Sequence, residues 1–246
     1  MDNRRVKVSV VVPAYNEECL IGASLAAIRE ALGTFQGHGW EAELIVCDNN
    51  STDRTGEIAR AAGATVVFEP VNQIARARNT GARAATGDWL VFVDADSFPS
   101  PALLQDVRWR IEERRCLAGG ATVAYDTAPL WAKLAIASWN RLSRLARWAA
   151  GSFIFCEAAA FREVGGFNEA LYASEEIDLF RRLKRLARAQ GPTIEILHRH
   201  PLRTSERKLR LYTLWDFLSF SVKTVFTGGR TLRTRGDCKV WYDGRR

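Results

Sequence analysis

Four apolar runs in the first hundred residues alternate with segments of helical pattern, and this alternation constrains the fold most. The runs cover 6–12, 43–48, 64–69 and 88–96, and the helical patterns cover 17–32, 51–63 and 72–86. Continuous β-branched and apolar runs are typical of strands that are covered on both faces. Strands that alternate with helices predict a parallel sheet joined by right-handed crossovers. We therefore predict an α/β fold with a mostly parallel central sheet flanked by helices.

The pattern is less regular after Pro99. It predicts strands at 116–125 and 193–198, and helices at 101–114, 128–150, 175–189 and 207–226. No internal repeat or low-complexity linker divides the chain, and 246 residues are enough to bury a substantial core. We expect one large domain followed by a C-terminal helix and a polar tail.

The formal net charge of +7 favours an anionic partner such as a nucleotide, a nucleic acid or a membrane surface. Neither a zinc-finger spacing nor an aromatic RNA-binding consensus occurs, so we expect no nucleic-acid partner. The five cysteines are scattered, which argues against a disulfide framework or a zinc site. Scattered thiols suit a reducing compartment, and no run reaches the roughly 20 apolar residues that span a bilayer. We expect a cytoplasmic protein.

Polar residues follow three of the predicted strands, where each strand ends. PAYNEE (Pro13 to Glu18) follows the first strand, DNNSTD (Asp48 to Asp53) follows the second, and the fourth ends in Asp94-Ala95-Asp96. Ligands of open parallel sheets bind beyond these carboxyl ends, so the three segments should share one rim. Helix capping explains Ser51, Thr52 and Asp53 equally well.

The pair Asp94 and Asp96 requires a positive partner, because two carboxylates so close repel each other. In an extended chain their side chains share a face and can reach one ion. Mg²⁺ and Mn²⁺ take oxygen ligands and are typically held by one or two carboxylates together with substrate phosphates. We therefore expect a divalent metal ion at this strand end, bound with a phosphate-rich substrate.

Four segments together resemble the family 2 glycosyltransferases of GT-A fold, a Rossmann-like α/β architecture. They are VSVVVPAYNEE, ELIVCDNNSTDRT, ARARNTGARAATGDWLVFVDADS and SEEIDLFRRL, in this order over roughly residues 6–185. The resemblance implies an inverting glycosyltransferase, of hexosyltransferase type, that uses Mg²⁺ or Mn²⁺. Its partners would be a nucleotide-diphosphate-sugar donor and an acceptor glycan, lipid or small molecule.

The resemblance also implies roles for individual residues. Asp48 would contact the nucleotide base, with Ser51 in the same loop, Arg78 would lie near the diphosphate, and Asp94 and Asp96 would bind the metal and diphosphate. The positions that would line the nucleotide pocket are Pro13, Ala14, Tyr15 and Glu17.

A second implied role is that of the catalytic base, where the chain departs from the family pattern. Glu175 and Glu176 stand where the family has Glu-Asp, and the second acid is the base, which points to Glu176. The longer side chain leaves Glu175 and Asp178 as alternatives. A positioned carboxylate would take the acceptor's proton. Without the upstream motifs, the three acids would simply be favourable charges at a helix start.

His198 and His200 follow the predicted last strand. Members of the family often place a late histidine near the metal, so we expect His198 as a further metal ligand. A surface or capping histidine is the alternative. The basic segment RTSERK, 203–208, would either supply cations to the diphosphate or form a solvated turn.

The helix predicted at 128–150 carries Lys133, Arg141, Arg144 and Arg147 within an arc of about 120°, and the residues that face away are Trp131, Leu134, Trp139, Leu142 and Leu145. This pattern suits a membrane surface, and a core-facing helix with a solvated arginine face is the alternative. The helix at 207–226 has a similar apolar stripe. We therefore expect peripheral association with the cytoplasmic face of a membrane.

We assign residues 1–97 to the half that binds the nucleotide sugar and 98–200 to the acceptor-binding half of the same GT-A domain. Residues 201–246 would be a C-terminal helix and tail that acts as a lid or a membrane contact. A nucleotidyltransferase is one alternative, although PAYNEE lacks the glycine-rich basic loop of that class. A non-catalytic nucleotide-sugar or membrane-binding module of the same fold is the other.

Overall fold

A twisted sheet of eight strands forms the centre of the protein in a computed structural model. The structure describes residues 6–125, 127–207, 229–238 and, singly, 219, 223, 224, 227 and 242. The strand order is β3-β2-β1-β4-β7-β6-β8-β5. The strands are β1 (Lys7–Ala14), β2 (Glu41–Asp48), β3 (Thr65–Phe68), β4 (Trp89–Val93), β5 (Ser97–Phe98), β6 (Cys116–Ala124), β7 (Phe153–Glu157) and β8 (Thr193–Thr204).

Within the described ranges, seven α-helices connect and cover these strands. They are α1 (Ile21–Gln36), α2 (Thr55–Ala61), α3 (Ile74–Ala84), α4 (Pro101–Glu112), α5 (Leu130–Ala146), α6 (Ala158–Glu163) and α7 (Glu175–Gln190). Local chemistry accounts for several boundaries. The Ser100 side chain accepts a hydrogen bond from the Leu103 amide at the start of α4, and Pro101 occupies the first turn, where no amide donor is needed.

The predicted fold class is confirmed. Strands β1, β2, β3 and β4 are parallel to one another, as the alternation of strand and helix patterns indicates. Strand β7 is antiparallel to both β4 and β6, and β5 is antiparallel to β8. The sheet is therefore mostly parallel, with two reversed strands: β7, inserted between β4 and β6, and β5 at the edge.

The core lies on both faces of the sheet, which explains the continuous apolar runs. Successive β1 residues point to opposite sides: Val10 belongs to the cluster under α1 and α4, whereas Val11 belongs to the cluster under α3, α6 and α7. All five residues of β4 are buried. Burial on both faces requires apolar side chains at every position, so these strands show no polar alternation.

Several predicted elements differ from those observed. The last strand continues beyond 198 to Thr204, because its end pairs with Phe98 of β5 through Arg203. The helix predicted at 128–150 ends at Ala146, where Arg147 adopts a left-handed conformation. The helix predicted at 207–226 falls almost wholly outside the described residues. Among the described helices, none has the length and hydropathy that crossing a bilayer requires.

Helix α3 approaches β1 closely at Gly81. A β-carbon at this position would overlap the Val11 side chain, which is fully buried in the strand below. Valine in a packed strand has little freedom to move away. The glycine therefore sets how closely α3, and the Arg78 side chain one turn earlier, can lie against the sheet.

We expect Gly81→Ala to destabilise the protein by about 1–3 kcal/mol, because the added methyl group overpacks the core. Urea unfolding measures the change. Gly33→Ala is the matched control, since its β-carbon would meet no atom within 4 Å. This control should stabilise α1 by up to about 1 kcal/mol. Equal effects of the two substitutions would contradict the proposed close approach.

Candidate active site

The acidic pair Asp94 and Asp96 lies in a turn that joins β4 to β5. The Ser97 amide donates to the Asp94 carbonyl oxygen over 3.0 Å and closes this turn. The segment is therefore a turn. The prediction that both side chains share a face assumes an extended chain, and that assumption is wrong. The turn nevertheless brings both side chains to the same two adjoining cavities at the carboxyl edge of the parallel strands. The predicted convergence holds, although for a different geometric reason.

The buried guanidinium group of Arg78 joins three parts of this site. One terminal nitrogen donates to Glu175 Oε1 over 2.7 Å. The other donates to Asp94 Oδ1 over 2.9 Å and to the Gly151 carbonyl oxygen over 2.7 Å. The Phe167 ring lies against the same group, 5.2 Å from centroid to guanidinium carbon. Arg78 thus connects α3 with the turn after β4 and with the first turn of α7.

Glu176 lies beside this cluster and lines the cavity that contains Asp94 and Asp96. Burial and the neighbouring Glu175 carboxylate raise the pKa of Glu176 to about 8. The neighbouring carboxylate of Glu175, in contrast, forms an ion pair with Arg78. Gly151 is close to both groups: a β-carbon there would lie 3.2 Å from Arg78 Nη2 and 3.7 Å from the Glu176 carboxyl carbon.

A second cavity contains the residues predicted to line the nucleotide pocket. Pro13, Ala14, Tyr15 and Glu17 all border it, together with Asp94 and Asp96. Glu17 is buried and forms a two-pronged ion pair with Arg207, at 2.7 and 2.9 Å.

Arg207 also lies 3.6 Å from an Asp96 oxygen. Arg207 belongs to the basic segment 203–208, which we expect either to supply cations to the diphosphate or to form a solvated turn.

Asp48 and Ser51 have a different position from the cavity-lining residues. Asp48 accepts a hydrogen bond from the Ser51 amide over 2.9 Å, and the Ser51 hydroxyl accepts one from the Asn16 amide over 3.1 Å. The Asp53 carboxylate accepts a hydrogen bond from the Thr55 amide over 2.9 Å, in the turn that leads into α2. These bonds join the loop after β1 to the loop after β2. The N-cap position of α2 is Arg54 and has no side-chain cap, so the capping alternative is not borne out for Asp53.

The side chains fit a divalent cation in number and chemistry. Around the two cavities, the described residues supply five carboxylates and only two guanidinium groups; the carboxylates are those of Glu17, Asp94, Asp96, Glu175 and Glu176, and the guanidinium groups those of Arg78 and Arg207. This excess of negative charge contributes to the raised pKa of Glu176. A bound divalent cation would reduce this excess of negative charge.

The described part of the chain holds no group of three or more His, Cys, Asp or Glu side chains arranged to ligate a metal unaided. Mg²⁺ typically binds one or two carboxylates and completes its shell with substrate phosphates and water. Asp94 and Asp96 match that requirement.

Two predicted site residues lie elsewhere. Asp178 bonds to Arg182 at 2.7 and 2.8 Å, and it borders a separate depression beside Phe167. His198 is exposed on β8, in a groove that lies between α4 and α5. It precedes Thr204, which borders the candidate site, by six residues, or about 20 Å of extended strand. The structure therefore does not bring His198 to the acidic pair. His200 bonds to Asp106 at 3.0 Å, in agreement with the surface alternative.

Other residues of the site were not identified from the sequence. Ile136 and Trp139 of α5 border the cavity that contains Glu176, and Tyr242 borders the donor-side cavity. The Tyr242 hydroxyl also accepts a hydrogen bond from the Ile74 amide over 3.0 Å. Aromatic residues so distant in sequence give no local signal. Trp139 could have been found only from the helical face opposite the arginines.

The sequence model of the family "Glycosyl transferase family 2" matches residues 9–166, which is more than half of the chain. The chain belongs to glycosyl transferase family 2. The matched range contains Arg78, Asp94 and Asp96 but ends before Glu175 and Glu176. The assignment of the base in this family 2 protein therefore depends on the geometry described above.

Relatives of this family 2 chain include two bacterial proteins. An uncharacterized glycosyltransferase of Bacillus subtilis, EpsJ, is 32% identical over 114 residues, which are 44% of this chain and 31% of that protein. Glucosyl-3-phosphoglycerate synthase of Mycolicibacterium smegmatis is 40% identical over 97 residues, 36% of this chain and 30% of the synthase. The chain spans about a third of the length of these relatives.

Solved glycosyltransferases share the fold. The mannosyltransferase PcManGT of Pyrobaculum calidifontis, in complex with GDP-Man and Mn²⁺, has a TM-score of 0.66 at 22% identity, covering 89% of this chain and 62% of that one. Glucosyl-3-phosphoglycerate synthase of Mycobacterium tuberculosis, in complex with Mn²⁺, UDP and phosphoglyceric acid, has a TM-score of 0.60 at 22% identity, covering 90% and 76%. At this identity the likeness concerns the fold alone.

We expect Arg78→Met to destabilise the protein by about 3–5 kcal/mol, because Glu175 and Asp94 would lose the cation that both contact. Denaturant unfolding measures the loss. Arg83→Met is the matched control on the same helix, since its side chain is 63% exposed and lies 4.0 Å from Glu169. The control should change stability by less than about 0.5 kcal/mol. A similarly small effect of Arg78→Met would refute the central role of this guanidinium.

Proposed function

We propose that the protein is a metal-dependent, inverting glycosyltransferase that moves a sugar, of the hexosyl type, from a nucleotide-diphosphate donor to an acceptor hydroxyl. The observation that carries this proposal is the placement of Glu176 in the same cavity as Asp94 and Asp96. Glu176, whose pKa is raised by burial, lines this cavity together with two carboxylates suited to a metal-diphosphate. One cavity thereby contains side chains to bind the metal-diphosphate of the donor and a side chain to take the proton of the acceptor.

The donor would lie along the loops after β1 and β2. The cavity bordered by Pro13, Ala14, Tyr15 and Glu17 adjoins Asp94 and Asp96, so a nucleotide there would direct its diphosphate toward the acidic pair. Asp48 and Ser51 hold these two loops together and would fix the edge at which the base is recognised. The related structures in complex with GDP-Man or UDP support a nucleotide donor.

Asp94 and Asp96 would hold Mg²⁺ or Mn²⁺, which when bound would neutralise charge on the departing diphosphate. Complexes of the similar transferases with Mn²⁺ support this assignment. Arg78 holds the Asp94 carboxylate in place through a direct hydrogen bond. Arg207, now bonded to Glu17 and close to Asp96, is the second cation beside this region.

Glu176 would act as the general base. The acceptor oxygen forms a bond to the anomeric carbon of the sugar while its proton passes to the Glu176 carboxylate. The bond from the anomeric carbon to the diphosphate oxygen breaks, and its electron pair leaves with the nucleoside diphosphate. Attack from the side opposite the leaving group inverts the anomeric configuration. Glu175 is the positioning residue of the pair, because its carboxylate is bonded to Arg78.

The acceptor would enter from the side formed by residues 98–200, where Ile136, Trp139 and Tyr125 border the Glu176 cavity. An aromatic and apolar wall of this kind suits the faces of a sugar ring or an apolar chain. Residues 1–97 would bind the donor. Within 201–246, Tyr242 borders the donor-side cavity and Arg207 pairs with Glu17 in its wall, which supports a closing role for this segment.

A thermal-shift panel of nucleotide diphosphates and nucleotide sugars tests the proposal. We expect the protein to be stabilised by one nucleotide class in the presence of Mn²⁺, with a smaller shift in EDTA, because a ligand that binds only the folded state raises its stability. Asp94→Asn should abolish the dependence on the metal. Absence of any shift with every nucleotide sugar would contradict the proposed donor site.

We expect Glu176→Gln to lower kcat by about 100-fold or more, because the amide cannot accept the acceptor's proton. Donor affinity, followed by the same thermal shift, should remain near that of the wild type. Asp178→Asn is the matched comparison, since Asp178 lies in the same helical turn but bonds to Arg182. A large loss with Asp178→Asn and none with Glu176→Gln would transfer the role of base to Asp178.

A further inference from the structure

Helix α5 leaves a stripe of leucines in solvent, although leucines on a helix usually pack onto the core. Leu130, Leu134 and Leu145 are 73%, 61% and 86% exposed. They follow one another at intervals of four and eleven residues, which places them on one side of a helix with 3.6 residues per turn. Only Ala132 and Ser143 of α5 are buried. We call this side the α5 outer face.

The α5 outer face also carries positive charge that the described residues do not neutralise. Lys133, Arg141, Arg144 and Arg147 are exposed, and none of them forms an ion pair within the part of the chain that the structure describes. The sequence contains no acidic residue between Asp126 and Glu157. The four cations therefore form a local excess of positive charge.

Acidic residues across the neighbouring groove do not offset this charge, because each already has a basic partner. Asp106 bonds to His200, and Glu112 bonds to Arg108. Arg110 bonds to both Glu113 and Glu195. The exposed arginines of α5 are accordingly available to an anionic partner outside the described residues.

We propose that the α5 outer face binds an anionic lipid surface, with its leucines inserted among the acyl chains and its cations at the headgroups. Exposed leucines interleaved with arginines on one side of a helix are suited to the interfacial plane of a bilayer. Anionic headgroups supply the missing charge. The predicted placement of the leucines away from the arginines is wrong for Leu134 and Leu145, which are exposed beside the cations of α5. The core-facing alternative accounts only for the side that carries Ala132 and Ser143.

The opposite side of the same helix borders the candidate active site. Ile136 and Trp139 line the cavity that contains Glu176. A helix is about 10 Å across, so an α5 helix on the lipid surface holds this cavity about that distance from the headgroups. The identity of the acceptor rests on the proposed function. The acceptor is then a hydroxyl compound that is anchored in the bilayer. Helix α5 lies between the bilayer that holds this anchor and the cavity that contains Glu176.

Co-sedimentation of the whole chain with vesicles tests the lipid contact. The protein should bind vesicles with 30% phosphatidylglycerol at low salt and bind phosphatidylcholine vesicles less. Leu134→Glu/Leu145→Glu should weaken binding at least about tenfold, since two apolar side chains that would insert into the bilayer become charged. Arg141→Gln/Arg144→Gln should weaken it about 25-fold, at roughly fivefold per charge, and high salt should do likewise.

The chain offers matched controls for both substitutions. Phe68, 58% exposed on β3 at the opposite edge of the sheet, serves as Phe68→Glu, and the exposed Arg162 of α6 serves as Arg162→Gln. Both should bind vesicles as the wild type does. No vesicle binding, or equal loss with the control variants, overturns the proposal. Retention on immobilised polyglutamate without vesicle binding also overturns it and points to an acidic protein partner.

The bilayer-anchored acceptor has a separate readout. Radiolabel from the donor sugar identified by thermal shift should enter organic-extractable material when membranes are present, and Leu134→Glu/Leu145→Glu should lower this incorporation while donor binding persists. Label found only in water-soluble product overturns the anchored acceptor. A donor shift without vesicle binding contradicts the lipid contact alone, whereas vesicle binding without any donor shift contradicts the proposed function alone.

Discussion

The buried guanidinium group of Arg78 is the interaction on which the candidate site depends. Its two terminal nitrogens bond to Asp94, Glu175 and the Gly151 carbonyl oxygen, so four chain segments meet at one charge. A buried cation of this kind is tolerated only because its partners neutralise it, and the partners require it equally. The close approach at Gly81 sets the height of α3 over the sheet, and so places the guanidinium at the level of the turn after β4.

The reversed strand β7 explains how distant segments reach this point. It pairs with β4 in the antiparallel sense, and the Asp94 amide donates to the Ser152 carbonyl oxygen over 3.2 Å just beyond that pairing. Gly151 and Ser152 are thereby held against the acidic turn. The site thus forms where the sheet changes from parallel to antiparallel pairing. Side chains from both halves of the chain lie together at this point. Burial raises the pKa of Glu176, and the excess of carboxylates at this junction adds to that rise. A bound cation would offset the excess of negative charge.

The two sides of helix α5 have different environments: one side borders the candidate active site and the other is exposed to solvent. Ile136 and Trp139 border the cavity with Glu176, and the leucines of the α5 outer face remain in solvent beside cations without ion-pair partners in the described chain. A helix that formed only part of the core would bury those leucines. The same element can therefore form the wall of a reaction cavity and a contact with a lipid surface.

The sequence by itself determined the α/β class, the strand positions up to β4 and the convergence of three polar strand ends, because burial on both faces and parallel order leave a local pattern. It also indicated the family and the acids at 94, 96, 175 and 176. Only the tertiary structure decided that Glu175 pairs with Arg78, that Asp178 and His198 lie elsewhere, and that the leucines of α5 face solvent. These outcomes depend on contacts between residues distant in the chain, and periodicity states which residues share a face without stating what that face meets.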